Sequence, residues 1–282
     1  SQIITIDDAI NPSITCPAAL TAICDISEQA AYTNYAAFQA AGGSATDNCG
    51  IDGATFQLVS ETSDGASCPE VVTRIYSIAD SCGNTNTCSQ IITIDDAINP
   101  VITCPAALTA ICDINEQPAY TNYASFQAAG GSAMDNCGID GATFQLVSET
   151  SDGASCPEVV TRIYSIADSC SNTNTCSQII TIDDAINPVI NCPSALTAIC
   201  DISEQPAYTN YAAFQAAGGS ATDNCGIDGA TFQLVSETSD GASCPEVVTR
   251  IYSIADSCSN TNTCSQIITI DDAINPSITC PA

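Results

Sequence analysis

The dodecapeptide SQIITIDDAINP carries two adjacent aspartates ahead of an asparagine and a proline, and it starts at Ser1, Ser89, Ser177 and Ser265. Paired carboxylates beside an amide suit a hard cation. Calcium takes about 6–8 oxygen ligands from carboxylates, amide and backbone carbonyls and water. The other chemically active side chains are 19 cysteines, in a chain with no histidine. Zinc sites draw on Cys-x-x-Cys pairs or histidines. The sequence has neither, so the cysteines read as disulfides.

A repeat positions both groups. The dodecapeptide recurs every 88 residues (89 − 1), without gaps. That is a domain-sized period, longer than the roughly 20–50 residues of solenoid rungs. Residues 1–88 and 89–176 differ at six positions, among them Ala30 against Pro118 and Thr46 against Met134, and the third copy differs from the second at five. The expected organisation is the last strand of a preceding repeat over 1–8, repeats over 9–96, 97–184 and 185–272, and the start of a fourth over 273–282. The chain thus reads as a stretch of a longer array. Six cysteines per repeat, with Cys280 left over, fit an oxidising, extracellular setting.

Composition excludes several functions. Three basic residues face 32 acidic ones, for a formal net charge of −29. Phosphate backbones and anionic membranes repel such a chain, so neither nucleic-acid binding nor membrane insertion is expected of it. A hydrophobic share of 45% argues against acidic disorder. No apolar run approaches the roughly 20 residues of a membrane span, and any leader or anchor is expected outside this stretch.

Within the first repeat, Leu20–Cys24, Ala54–Glu61, Glu70–Ala79 and Thr87–Asp95 are β-branched and aromatic-rich between turn-formers, which predicts strands. A short strand, Ser13–Thr15, precedes Pro17, and Ser13–Cys24 is read as one strand kinked there. TNYAAFQAAGG, with Gly42 and Gly43 at its end, predicts a short glycine-capped helix. The fold class is therefore all-β: tandem immunoglobulin-like β-sandwiches, each with one short helix.

Hairpin-linked strands alternate in direction, so each turn can be assigned to the pole where the chain arrives (near) or leaves (far). Asp47, Asn48, Asp52 and the Asp80–Asn86 turn fall at the near pole. Asp25, Glu28, Glu61, Asp64 and Glu70 fall at the far pole. All ten acids of the repeat are expected at strand ends, turns or the linker, while Arg74 lies inside a strand. End-to-end stacking then gathers acids at each linker. The candidate calcium ligands are Asp7, Asp8 and Asn11 with Asp47, Asn48 and Asp80; Asp95, Asp96 and Asn99 with Asp135, Asn136 and Asp168; Asp183, Asp184 and Asn187 with Asp223, Asn224 and Asp256; and Asp271 with Asp272. The alternative is a solvated acidic surface. Proline after Asn99 restricts the linker backbone, which would limit bending.

NPSITCPAALTAICD, FQAAGGSATDNCG, CPEVVTRIYSIADSCGNTNTC and SQIITIDD resemble hyalin-type (HYR-like) repeats, particularly the cysteine-rich version in tandem on surface and secreted proteins of Bacteroidetes-type bacteria. The resemblance covers essentially the whole chain. It implies an immunoglobulin-like sandwich with a role in surface adhesion or extracellular assembly, usually without catalysis, and it names no ligand. ADSCGN becomes ADSCSN at Ser171 and Ser259, so that glycine is read as dispensable.

Simpler family members keep cysteines only at positions like Cys16 and Cys88, which suggests that pair. Shared poles then suggest Cys24–Cys68 and Cys49–Cys82, one of 15 connectivities for six cysteines. Repeated along the chain, the scheme is Cys104–Cys176, Cys112–Cys156 and Cys137–Cys170, then Cys192–Cys264, Cys200–Cys244 and Cys225–Cys258.

The expected function is a structural extracellular fibre or stalk on a bacterial cell surface, stapled by disulfides and stiffened by interdomain calcium. Further copies of the repeat, other fibre chains or surface glycans would be its partners. The alternative is an adhesive module recognising glycan or protein, for which Tyr32 and Tyr35 would have to be exposed rather than in the core. An enzyme is not expected. Lack of histidine removes the common triads, and the acids lie at poles rather than in a cleft.

Overall fold

A computed structural model describes Gln2 and residues 7–279. The strand expected over 1–8 falls largely outside the described residues, as does Cys280. Each of the three repeats is an immunoglobulin-like sandwich with one short α-helix. In the first, the strands are β1 (Ser13–Thr15), β2 (Leu20–Ala22), β3 (Ser44–Thr46), β4 (Ile51–Ser63), β5 (Glu70–Asp80) and β6 (Thr85–Ile94), with α1 over Tyr35–Ala40. One sheet has the order β4-β5-β6-β2 and the other pairs β1 with β3. The same elements recur in the second and third repeats.

The segment read as one kinked strand is two strands in two sheets. β1 pairs antiparallel with β3, and β2 pairs parallel with β6, Leu20 opposite Ile92. Pro17, lacking an N–H, sits at the switch, where no ladder bond is needed from it. β3 was not expected from the sequence, because SAT is too short and too small-sided to register as a strand. β4 is longer than expected and takes in Asp52 and Glu61, so these two acids lie within a strand rather than at its ends. Asp52 sits at a register shift, and Glu61 stands opposite Arg74 and accepts its Nε–H at 2.5 Å.

Strand alternation explains the interior. Val72, Arg74, Tyr76 and Ile78 share the inward face of β5. Phe38, Phe56, Tyr76 and Ile78 form an aromatic cluster toward the near pole. Ala22, Val72, Ile92 and Ile94 form an aliphatic one toward the far pole. Between them lies a polar layer of Arg74, 3% exposed, and Gln90, 1% exposed, whose amide donates to the Ala18 carbonyl at 2.9 Å.

Asn34 caps α1 by accepting from the Ala37 N–H. At the other end Gly42 (φ +94°) donates to Gln39 and Gly43 to Phe38, both at 3.0 Å. That is a Schellman stop, which favours glycine in the left-handed position. Gly43 is required for space instead, since a Cβ there would lie 2.3 Å from the Phe38 ring.

The chain divides into two compact units, residues 1–105, 120–147 and 163–177 in one and 106–119, 148–162 and 178–282 in the other. The first contains the junction between repeats one and two, and the second that between repeats two and three.

Candidate functional site at the repeat junction

In the first unit, β6 leads directly into the linker, and the Asp95 N–H donates to Ala22 at 3.1 Å. Asp96 is then turned inward and is 3% exposed. One of its carboxylate oxygens accepts from the Ile98 N–H at 3.0 Å and from the Asn136 amide at 3.3 Å. Asn172, in the turn after Asp168, donates to the Asp96 carbonyl at 2.8 Å. Asn174 donates to the Pro100 carbonyl at 2.9 Å. These two amides lock the linker to the near pole of the second repeat, and the sequence reading passed over Asn172. Its only signal is an amide placed where a tight turn meets a linker.

Asp96 and Asp135 come together at this point. A carboxylate oxygen of each and the Cys137 sulfur lie within 4.8 Å of one another. Asp135 Oδ2 accepts from the Cys137 N–H at 2.8 Å. Asp96 Oδ2 and Asp135 Oδ1 are buried without a hydrogen-bond partner, a costly state for charged oxygens unless something neutralises them. In the second unit, Asp184, Asp223 and Cys225 form the same cluster, and Asp184 Oδ2 and Asp223 Oδ1 are likewise buried and unpartnered.

The other candidate ligands are elsewhere. Asp168 is 2% exposed, but its oxygens accept from Cys170 N–H, Asn172 N–H and the Asn172 amide at 2.8–2.9 Å. Asp80 and Asp256 close their turns in the same way. Asp95, Asn99, Asp183 and Asn187 are exposed. Asn136 and Asn224 take part as donors, to Asp96 and Asp184 and to the sulfurs of the Cys24–Cys137 and Cys112–Cys225 disulfides. At the far pole, the N–H groups of Ile23 and Cys24 hold the Glu28 carboxyl below the ordinary range, as those of Ala66 and Val71 do for Asp64. The junction acids therefore divide into local caps, exposed groups and one convergent pair per junction, fewer ligands than the sequence suggested.

At the near pole of the first repeat, Asp8, Asp47 and Cys49 form a third such cluster. Asp8 accepts from the Ile10 N–H at 3.0 Å and from the Cys49 thiol, and both hold its carboxyl below the usual range. The same contact, followed by burial, pushes the Cys49 thiol up. Asp7 and Asn11 are exposed, while the Asn48 amide donates to Asp8 at 3.2 Å. Asp271 and Asp272 are exposed.

The cysteines correct the local pairing scheme. Cys16–Cys88, Cys104–Cys176 and Cys192–Cys264 are bonded within their repeats. Cys24 is bonded to Cys137 rather than Cys68, and Cys68 to Cys170. The next junction repeats this with Cys112–Cys225 and Cys156–Cys258. Cys49, Cys82, Cys200 and Cys244 are free and exposed. The pole assignments hold, but cysteines sharing a pole do not pair with each other. Abutting poles bring their Cα atoms to 5.0 and 5.1 Å across the junction, within disulfide reach.

Gly83 (φ +92°) is replaced by Ser171 (φ +69°) and Ser259 (φ +70°). The turn keeps its left-handed residue, so glycine is tolerated as absent but not irrelevant there.

No protein-family profile matches the chain, and no curated protein matches it. Among solved structures it is similar to protocadherin gamma B2 extracellular cadherin domains 1–5, at 12% identity and a TM-score of 0.30, covering 96% of this chain and 62% of that one. It is also similar to the protocadherin gammaB7 EC3–6 cis-dimer structure (12%, 0.28, 94% and 79%) and to the human desmocollin-1 ectodomain (11%, 0.25, 95% and 62%). With scores this low, the resemblance to hyalin-type repeats rests on the quoted residues alone.

Proposed function

We propose that the protein is a non-catalytic structural element of an extracellular stalk or fibre, an array of HYR-like sandwiches fastened at every junction. The observation that carries this is the pair of disulfides crossing each junction, Cys24–Cys137 with Cys68–Cys170 and Cys112–Cys225 with Cys156–Cys258. Two covalent links beside a proline-restricted linker oppose bending and twisting, which a spacer needs and a flexible linker between independent binding modules does not. Four such bonds also favour an oxidising compartment.

Asp96 with Asp135, and Asp184 with Asp223, are the proposed cation ligands. Two buried carboxylate oxygens without donors fit a divalent cation, with water completing the shell. So few protein ligands suit the weak end of extracellular calcium binding, about 10⁻⁴–10⁻³ M. The adhesive reading has less behind it. Tyr32 and Tyr35 pack against the Phe38 cluster, and the Tyr35 hydroxyl is engaged with Ala45.

The test is thermal unfolding of the oxidised chain with calcium, with magnesium and with a chelator. A midpoint that rises with calcium, and stops doing so in Asp96→Asn/Asp184→Asn, supports the cation-stiffened array. An unchanged midpoint would leave rigidity to the disulfides and prolines alone.

A further inference from the structure

Sulfur lies against the acid pair at each junction. Cys137 belongs to the cluster of Asp96 and Asp135, and Cys225 to that of Asp184 and Asp223, with one ligand atom of each residue within 4.8 Å of the others. An amide ties the sulfur to the acid. Asn136 donates to an Asp96 oxygen at 3.3 Å, to the Cys137 sulfur at 2.9 Å and to the Cys24 sulfur at 3.7 Å. Asn224 does the same for Asp184, Cys225 and Cys112, at 3.2, 2.9 and 3.7 Å. Both junctions thus hold the same sulfur against the same carboxylates.

Bonded to Cys24, Cys137 contributes little as a ligand, because metals are bound by the thiolate. The closed site offers oxygen alone, the donor set of a hard cation. Opening the bond changes that set. Asp96 Oδ2 belongs to a residue 3% exposed and is buried without a partner, and Asp135 Oδ1 is likewise unpartnered, so both carboxylates are free to take an ion. With the Cys137 thiolate they make two oxygens and one sulfur. Three protein ligands with water in the fourth position suit tetrahedral zinc. Zinc bonds of about 2.0–2.3 Å set neighbouring ligand atoms about 3–4 Å apart, so atoms already within 4.8 Å reach the ion by side-chain adjustment. Calcium, which takes oxygen ligands, gains nothing comparable from the sulfur.

We propose that the Cys24–Cys137 and Cys112–Cys225 bonds decide which class of metal ion a junction takes: a hard cation while the bond is closed, a zinc-class ion once it is open. The inference rests on the cation reading of Asp96 and Asp135 given above. The bond opens by exchange with a dithiol. One thiolate of the dithiol attacks a sulfur of the bond, and its second thiolate resolves the mixed disulfide. The dithiol gives up two electrons and two protons and becomes a disulfide, and Cys24 and Cys137 receive them as two thiols. Zinc then displaces the Cys137 proton to solvent, and the sulfur it holds is withdrawn from closing the bond again. Among the described residues Cys68 and Cys170 belong to no such cluster, so the bond between them is indifferent to the metal.

The experiment titrates cobalt(II), a coloured stand-in for zinc, into the full 282-residue chain. Every cysteine outside the seven described disulfides is replaced by serine, and in the test protein Cys24→Ser and Cys112→Ser leave Cys137 and Cys225 as thiols. Expected is a sulfur-to-cobalt charge-transfer absorption that saturates at one ion per junction and is bleached by zinc but not by calcium. The closed parent should not show it, and Asp96→Asn/Asp184→Asn should remove it from the test protein. No absorption overturns the proposal, as does absorption of equal strength in the closed parent or in the Asn variant. A second measurement needs no opened variant. The reduced parent is refolded in glutathione buffer with zinc or with calcium, and alkylation with peptide mapping follows each bond. Zinc should delay Cys24–Cys137 and Cys112–Cys225 relative to Cys68–Cys170, and equal timing in the two metals overturns the proposal. The thermal midpoint of the closed parent separates the two readings. If it rises with calcium while no cobalt absorption forms, the switch alone fails; if neither responds, the cation reading falls with it.

Discussion

Cys24 of the first repeat is bonded to Cys137 of the second, 113 residues further along the chain, although Cys68 shares its pole. With Cys68–Cys170 beside it at a separation of 102, the stabilisation belongs to the junction and not to either sandwich.

Replacing Cys24 with alanine is therefore expected to liberate the thiol of Cys137 and leave Cys68 bonded. Alkylation followed by peptide mapping identifies the freed residue. In the chain-entropy description a loop of about 100 residues is worth about 4–5 kcal/mol, so denaturant unfolding should show a loss of about 2–4 kcal/mol after strain and residual structure are allowed for. A freed Cys68 would contradict the pairing.

Ser171 and Ser259 occupy left-handed backbone at φ +69° and +70°, which costs an L-residue about 1–2 kcal/mol. Ser171→Gly and Ser259→Gly should each stabilise the chain by about 1 kcal/mol once the greater unfolded-state freedom of glycine is counted. Equilibrium denaturation measures this, and a loss of stability in both variants would show that the turn does not hold that conformation.

Gly43 and Gly131 face the rings of Phe38 and Phe126, where a Cβ would come to 2.3 Å. Gly43→Ala should cost about 1–3 kcal/mol, as overpacking does, whereas Gly65→Ala meets no atom within 4 Å and suffers only from its φ of +77°. Equal losses at the two positions would argue against the packing account.

Glu28, Glu116 and Glu204 accept backbone N–H bonds that hold their carboxyls below the ordinary range, first from Ile23, Ile111 and Ile199. A depressed carboxylate contributes stability that is complete above its unfolded value, about 4.3, and disappears as pH falls through the folded value. Replacing all three with glutamine should lower the unfolding midpoint at pH 7, and the gap from the parent should narrow below about pH 4.3. A gap of the same size at pH 7 and pH 3 would count against this cap.

The strands, the helix and the pole of each turn were legible because periodicity and hairpin alternation are local and geometric. β3 was not, since Ser44–Thr46 has no strand signal of its own and forms through pairing with β1. The partners of the junction cysteines were invisible for a different reason, although the Cys16–Cys88 pair was expected and is present. Cys24 and Cys68 share a pole, but so do the cysteines of the next repeat once poles abut, and composition cannot rank a neighbour in the fold against a neighbour in the array. Among the acids, sequence located the junction but could not divide Asp96, turned inward with a free oxygen, from Asp168, committed to its own turn by Asn172.

The pairing of buried Arg74 with exposed Glu61, repeated as Arg162 with Glu149 and Arg250 with Glu237, has a practical consequence. The chain has three basic residues in all, and these arginines are each 3% exposed. A protease that cuts after lysine or arginine finds its every target inside a sandwich, in the middle of a hydrogen-bonded strand. The folded array is thus intrinsically closed to trypsin-like digestion, and the appearance of such fragments would time the opening of the sandwich interior rather than the fraying of its surface.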